Sequence, residues 1–281
     1  MNIKPNELLT LAQATRTANA LEAMFDPEAD LQGAMLAALA MACLHNIQSG
    51  AIAADTLADQ ASRIRDAVLG AANPNAIGMD PLILAGLIEQ LHMASIPAQV
   101  LGDMVDNLRT ELSRQPAEFR QTGRIRMLEA MLERADCAVK PAGPPASYGN
   151  HGVSADCLLD ANDEQLLDIV DHGFAGGIRF EPEAGVVLGA LMLALLRDYR
   201  IDIAGRMLRA MLVHDHDAQS ALEGLHFIVV QRGSDGLYGY SDPFSDRYPD
   251  AATRNRELRL PVTLNALWMF ATALAVAGRR K

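Results

Sequence analysis

The amino-acid sequence predicts an all-α protein, and three observations carry that expectation. Apolar residues recur at helical spacing almost from end to end, strand-like alternation is nearly absent, and the periodic segments are interrupted at Asp, Asn, Pro and Gly. Only Phe227 to Val230 leans toward a strand, and it lies inside a helical pattern. Very apolar helices alternate with half-polar ones. That is the patterning concentric helical layers require, since inner helices are covered on nearly all sides and outer ones keep a wet stripe.

Each element follows from its own residues. In residues 6–25, Leu8, Leu11, Ala12, Thr15, Ala18 and Leu21 share one face of an amphipathic helix. Asp30 precedes an apolar run to Ile47, closed by Ser49 and Gly50. Asp55 caps a helix to Leu69, stopped by Gly70 and the Asn73–Pro74 break. Asp80 and Pro81 open a fourth to Ser95, Pro97 stands early in a fifth to Ser113, and a sixth spans 118–139. Proline suits a first helical turn because its missing N–H would have had no partner there. Beyond these, Asn162 starts a short helix ending at Gly173, and Glu181 with Pro182 opens a long one to Arg200. Asp202 caps another to His214, residues 217–231 form the next, and Leu258 to Ala277 the last. Residues 140–154 are rich in Pro and Gly and have no periodicity. The expected organisation is one α/α domain over residues 1–281, with subdomains 1–139 and 155–281 joined by that loop as the alternative.

Composition narrows the function classes. The chain has 281 residues, half of them hydrophobic, and 24 Lys plus Arg against 35 Asp plus Glu give a net charge of −11. That balance excludes nucleic acid as an expected partner, because affinity there comes from neutralising phosphates, and it disfavours an anionic membrane surface. Cys43, Cys137 and Cys157 are odd in number and form no C-x-x-C, so neither a disulfide framework nor a thiolate zinc site is expected and the cytoplasm is the expected compartment. No apolar signal core occupies the first 25 residues. Pro261 to Gly278 is uncharged and precedes Arg279, Arg280 and Lys281, which imitates a membrane span. Thr263, Asn265 and Thr272 interrupt it, and it falls short of the roughly 20 apolar residues a span needs, so it reads as a buried core helix.

One stretch resembles a known family. Residues 221–231 (ALEGLHFIVVQ) followed by 234–239 (SDGLYG) are similar to the helix, Gln, Asp-Gly-x-hydrophobic-Gly element of α/α-toroid proteins, the terpenoid-cyclase-like and prenyltransferase-like family. Residues 260–268 (LPVTLNALW) resemble the inner helix that closes such a ring. The resemblance covers residues 215–275 and extends to uncharacterised bacterial proteins that sit beside natural-product genes. It implies helical hairpins in an α/α-toroid-like barrel, complete or incomplete. The family's chemistry does not follow. No Asp-x-Asp-Asp acid occurs, the nearest string being Asp215, His216, Asp217 and Ala218, and residues 160–164 (DANDE) depart from the magnesium-binding Asp-Asp-x-x-Asp. With one Trp and 5% aromatic residues, the walls that stabilise carbocations are missing as well.

Two Glu-x-x-His elements are the sharpest chemical pattern: Glu89 with His92, and Glu223 with His226. Side chains at i and i+3 share a helix face, and two such elements with two further glutamates build a di-iron carboxylate site; Glu22, Glu129 and Glu133 are eligible. Repeat-equivalent positions explain the likeness without a metal. His214 to Asp217 (HDHD) pairs imidazoles with carboxylates, but adjacent helical residues point about 100° apart, and N-capping is the simpler role for Asp215 or Asp217. The segment from Gly233 to Asp250 holds Asp235, Tyr238, Tyr240, Asp242, Phe244, Asp246 and Tyr248, a composition that suits either a binding lip or a turn-rich connection.

The resulting expectation is a bacterial, cytoplasmic enzyme or accessory protein of specialised metabolism that binds an apolar small molecule or modified peptide in a central helical cavity. Glu223, His226 and Asp235 are its candidate catalytic residues, and Tyr238, Tyr240 and Trp268 its candidate substrate contacts. No cofactor is specified by the sequence. The alternatives are a non-catalytic helical interaction module, whose acidic charge suits a basic segment, and a di-iron oxygenase-like enzyme with Glu89, His92, Glu223 and His226 as metal ligands. A homodimer is compatible with either.

Overall fold

A computed structural model describes residues 4–70, 80–116, 118–137, 152–176, 178–214, 218–239 and 247–279. The protein is all-α: among the described residues the only β contacts are two isolated bridges, Val153 to Phe180 and Arg232 to Tyr238.

Capping chemistry divides several segments that periodicity alone reads as continuous. The first amphipathic stretch becomes α1 (Pro5–Leu8) and α2 (Leu11–Glu22), because the Thr10 hydroxyl accepts from Gln13 N–H and the Gln13 side chain accepts from Thr10 N–H. Two very apolar or half-polar helices follow, α3 (Leu31–Ile47) and α4 (Ala54–Gly70). Asp80 caps α5 (Pro81–Met93) by accepting from Leu82 N–H. The helix expected from Pro97 is a 3₁₀ turn, then Gly102 at φ +54°, then α6 (Asp103–Arg114). The sixth expected segment shortens to α7 (Gly123–Arg134), preceded by a 3₁₀ turn ending at Gln121. A five-residue helix that the pattern did not reveal, α8 (Ala155–Leu159), is capped by Ser154. Then come α9 (Asp163–Phe174), α10 (Pro182–Arg197), α11 (Ile201–His214) and α12 (Ala218–Val229). Finally α13 (Ala251–Arg254) runs through a π-helical turn (Asn255–Arg259) into α14 (Leu260–Arg279). The stretch Ala251–Gly278 is long and apolar enough to cross a membrane by length and composition, and most of its apolar window is packed inside the protein.

The packing order gives the architecture. Helix α3 packs on α5, α5 on α7, α7 on α9, α9 on α11, α11 on α14, and α14 returns to α3, which closes a cycle of six helices. Successive members run in the same direction. Arg124 at the start of α7 pairs with the α5 cap Asp80 at 2.6 Å, and Arg134 at its end pairs with Glu89 near the end of α5 at 2.6 Å. Along α9 and α11, Asp171 meets Arg206 and Phe174 meets Arg209; the next turn of contact is Arg209 on Trp268 of α14. The alternate helices α4, α8, α10 and α12 return the chain along the outside: α4 lies on α3, and α10 packs on α8, α11 and α12.

The axis of this ring is filled. Arg209 is fully buried, and its guanidinium lies 3.8 Å above the Trp268 ring and 5.9 Å from the Phe174 ring. Arg134 covers the same Phe174 ring at 4.4 Å while bonding Glu89. Cys43 of α3 and Glu89 of α5 lie within electrostatic reach of Arg209, so every inner helix contributes one side chain to this layer. Gly86 makes room for it: a Cβ there would stand 2.6 Å from the Trp268 ring. An arginine between aromatic faces keeps part of the electrostatic stabilisation that water would otherwise supply. Burial nevertheless dominates and lowers its pKa to about 10.

Candidate functional site

The sequence-predicted residues fall into three separate places. Glu223 and His226 are exposed on the outer helix α12, where Glu223 accepts from Gln219 Nε2 at 2.8 Å. The opposite face, with Ala221, Leu225 and Ile228, is the buried one. Spacing i, i+3 places two side chains on one face of a helix, and here that face is the wet stripe. On α5, Glu89 is buried and committed to Arg134, whereas His92 is partly exposed with Nε2 3.7 Å from the Asp136 carboxylate. The two Glu-x-x-His elements therefore do not converge, and among the described residues no three His, Cys, Asp or Glu side chains form a metal-sized group.

Asp235 and Tyr238 form a second place, which is structural in character. Both Asp235 oxygens accept from Arg259, at 2.5 and 2.7 Å, and Asp235 also accepts from Leu237 N–H. These hydrogen bonds, Arg259 first, hold the carboxyl below its ordinary range. The buried Tyr238 packs edge-on against Phe270 at 5.9 Å, its hydroxyl has no hydrogen-bond partner, and burial raises its pKa. Gly236 fits the turn because its φ is +96° and a Cβ would lie 2.8 Å from the Arg16 and Thr17 backbone of α2. The third place is the axis, where the buried Trp268 receives Arg209 instead of facing a central cavity. Tyr240, Asp242, Phe244, Asp246 and the string Asp215 to Asp217 lie outside the described residues.

A groove of about 770 Å³ opens to one side of the ring, between α7, α8, α9 and α11. Thr122 and Arg124 come from the start of α7, Cys157, Asp160 and Ala161 from α8 and the turn after it, Asp168 and Asp171 from α9, and Arg206 from α11. Leu167 and Ile169 supply apolar wall, and Glu164 stands at the rim. The arrangement is anchored at Asp168, which accepts from Gly123 N–H at 2.7 Å and so fixes α7 to α9. His172 one turn later is buried; burial lowers its pKa, against the pull of Asp168 at 3.7 Å.

Asp171 is the chemically distinctive group of the groove. It is 2% exposed, its Oδ2 lies 3.3 Å from Arg206 Nη1, and its Oδ1 has no hydrogen-bond partner. Burial pushes its carboxyl up to about 6 in spite of Arg206, Arg209 and Arg124, which all favour the charged form. A carboxyl that changes protonation near neutrality, at the wall of a concave site, has the properties of a general acid or base. The periodicity of α9 and α11 missed it. The available signal was charge at positions that should be dry: Asp171 beside Val170 and Gly173, and Arg209 within the run from Met207 to Leu212.

Comparison of the chain with protein-family models, with curated proteins and with solved structures finds no match.

Proposed function

We propose that this protein is an α/α-toroid-type binding protein or enzyme that takes a small, largely apolar molecule in the groove beside α9 and exchanges a proton with it through Asp171. The closed cycle of parallel inner helices supports the toroid reading, as does the alternate placing of α4, α8, α10 and α12. The observation that carries the functional reading is Asp171 itself: buried, lining a groove, held by one arginine contact and titrating at about 6. Arg206 fixes the carboxyl and stabilises its charged form. Leu167, Ile169 and Ala161 provide the apolar contact area expected of small-molecule sites. Relative to the sequence expectation, the ligand class is kept and the site moves from the axis to the flank. A cytoplasmic role in specialised metabolism remains part of this proposal.

The test joins ligand-observed NMR screening of apolar fragments with a carboxyl titration of Asp171. Binding that perturbs Asp171 and disappears in Ala161→Trp, which fills the groove, supports the reading. Failure of every fragment to bind, or binding indifferent to Ala161→Trp, overturns it.

A further inference from the structure

Resting on that reading, we propose that the groove selects an amine-bearing amphiphile, with an alkylammonium head donating to Asp171 Oδ1 and an apolar body along Ala161, Leu167 and Ile169. Four observations lead there. The buried Oδ1 of Asp171 has no partner, and in the ionised carboxylate it is an acceptor that a ligand N–H can satisfy. Both cations of the groove are already committed, Arg206 to Asp171 and Arg124 to Asp80, which leaves little positive charge to hold an anionic head. The acids Asp160 and Glu164 form no ion pair among the described residues, so they lend the groove a negative field that draws cations. Finally, exposed apolar residues lie close in sequence to the lining of the groove. Leu159, next to Asp160, is 60% exposed, and Phe119, three residues before Thr122, is 59% exposed.

An ammonium satisfies this site better than its competitors. A carboxylate head would meet Asp171 with Asp160 and Glu164 around it, and an alcohol would gain a hydrogen bond without the charge term. Asp168 is already held by Gly123 N–H, whereas Asp171 Oδ1 is the buried acceptor at the groove wall without a partner.

The experiment is isothermal titration of the full chain with n-octylamine, 1-octanol and sodium octanoate, each below its aggregation concentration. Octylamine is expected to bind about ten-fold more tightly than octanol, the ratio that separates a charge-assisted hydrogen bond from a neutral one, with octanoate weakest. Asp171→Asn, checked for folding by circular dichroism, is expected to erase that preference. The double variant Asp160→Asn/Glu164→Gln alters only exposed side chains, so it serves even if Asp171→Asn does not fold, and it should weaken octylamine several-fold more than octanol. Octanoate binding as tightly as octylamine overturns the amine assignment, as does an amine preference that survives Asp171→Asn or octylamine binding that persists in Ala161→Trp. If octanol binds and Ala161→Trp abolishes it while octylamine shows no advantage, the amine assignment alone falls. If none of the three binds, the groove reading falls with it.

Discussion

Asp171 and Asp235 each face an arginine, yet burial pushes the first carboxyl up to about 6 while hydrogen bonds hold the second below its ordinary range. Their surroundings explain the opposite directions. Asp235 is half exposed, accepts two hydrogen bonds from Arg259 and one from Leu237 N–H, and loses little hydration. Asp171 is buried, meets Arg206 through a single 3.3 Å contact, and has one oxygen with no partner. A carboxylate is held charged when its lone pairs are filled, and it drifts toward neutrality when they are not. The Asp235–Arg259 pair belongs to a clamp, and the Asp171–Arg206 pair lines the proposed site. Arg259 makes the difference plain, since it also donates to the carbonyls of Tyr238 and Leu237 and to Asn255 Oδ1, locking the turn onto the start of α14.

The largest expected effect is therefore at the clamp. Arg259→Met removes every one of those donors and strands carbonyls that are buried beside Tyr238, at a cost of about 3 kcal/mol in urea unfolding. A loss no greater than that of Arg206→Met would refute the distinction between clamp and site.

Next in size is a pH effect of opposite sign in the two regions. The folded pKa of Asp171, about 6, lies above the unfolded value of about 3.9, so its contribution to stability is fully present below about pH 4 and is lost as the pH rises through about 6. The whole change is on the order of 3 kcal/mol. Asp235 behaves in the reverse sense: its folded pKa is depressed, so its contribution is present above about pH 4 and is lost on acidification through the folded value. Unfolding free energies of the wild type, Asp171→Asn and Asp235→Asn between pH 3 and 8 check both. The Asp171→Asn difference should grow in favour of the variant from pH 4 to 7, and the Asp235→Asn difference should vanish toward the acid limit. Parallel curves for the two variants would show that the environments are alike.

A smaller strain effect is expected at the turn itself. Gly236→Ala forces an L-residue to φ +96° against the α2 backbone and should cost on the order of 1–3 kcal/mol, read as a lower melting temperature. The smallest effect belongs to the exposed pair on α12. Glu223→Gln and His226→Ala are expected to stay within about 0.5 kcal/mol of the wild type, with octylamine binding unchanged. A marked loss of binding in either would bring α12 back into the site.

Much of the helical order could be read from the residues, because long amphipathic or apolar repeats leave a clear period; α3, α9, α10 and α14 lie close to where that period puts them. The boundaries at Thr10, Gly102 and Thr122 escaped because capping and turn geometry act inside an unbroken apolar pattern. Helix α8 escaped because five residues hold too little of a period. Among candidate site residues, Glu89 and Asp235 are held by Arg134 and Arg259, and Tyr238 and Trp268 are packed in the core. The groove could not be read because its charges come from three distant segments, around Arg124, Asp171 and Arg206, and only the ring brings them together. A period identifies which side chains share a face, not which faces will meet.

The contact of α14 with α3 has a consequence for how the chain folds. Other contacts of the ring join helices closer in sequence, whereas this seam joins Leu31–Ile47 to Leu260–Arg279, and the bond from the Thr17 hydroxyl to the Gly236 carbonyl likewise joins residues 219 apart. Such a contact returns stability only after the whole intervening loop has been ordered, so the seam is the slow, high-contact-order step. The groove is built from α7, α8, α9 and α11, whose mutual contacts span shorter stretches of chain, with α10 between α9 and α11. The proposed groove and ring closure are thereby placed on different clocks: the helices that line the groove are joined by contacts of shorter sequence separation than the seam.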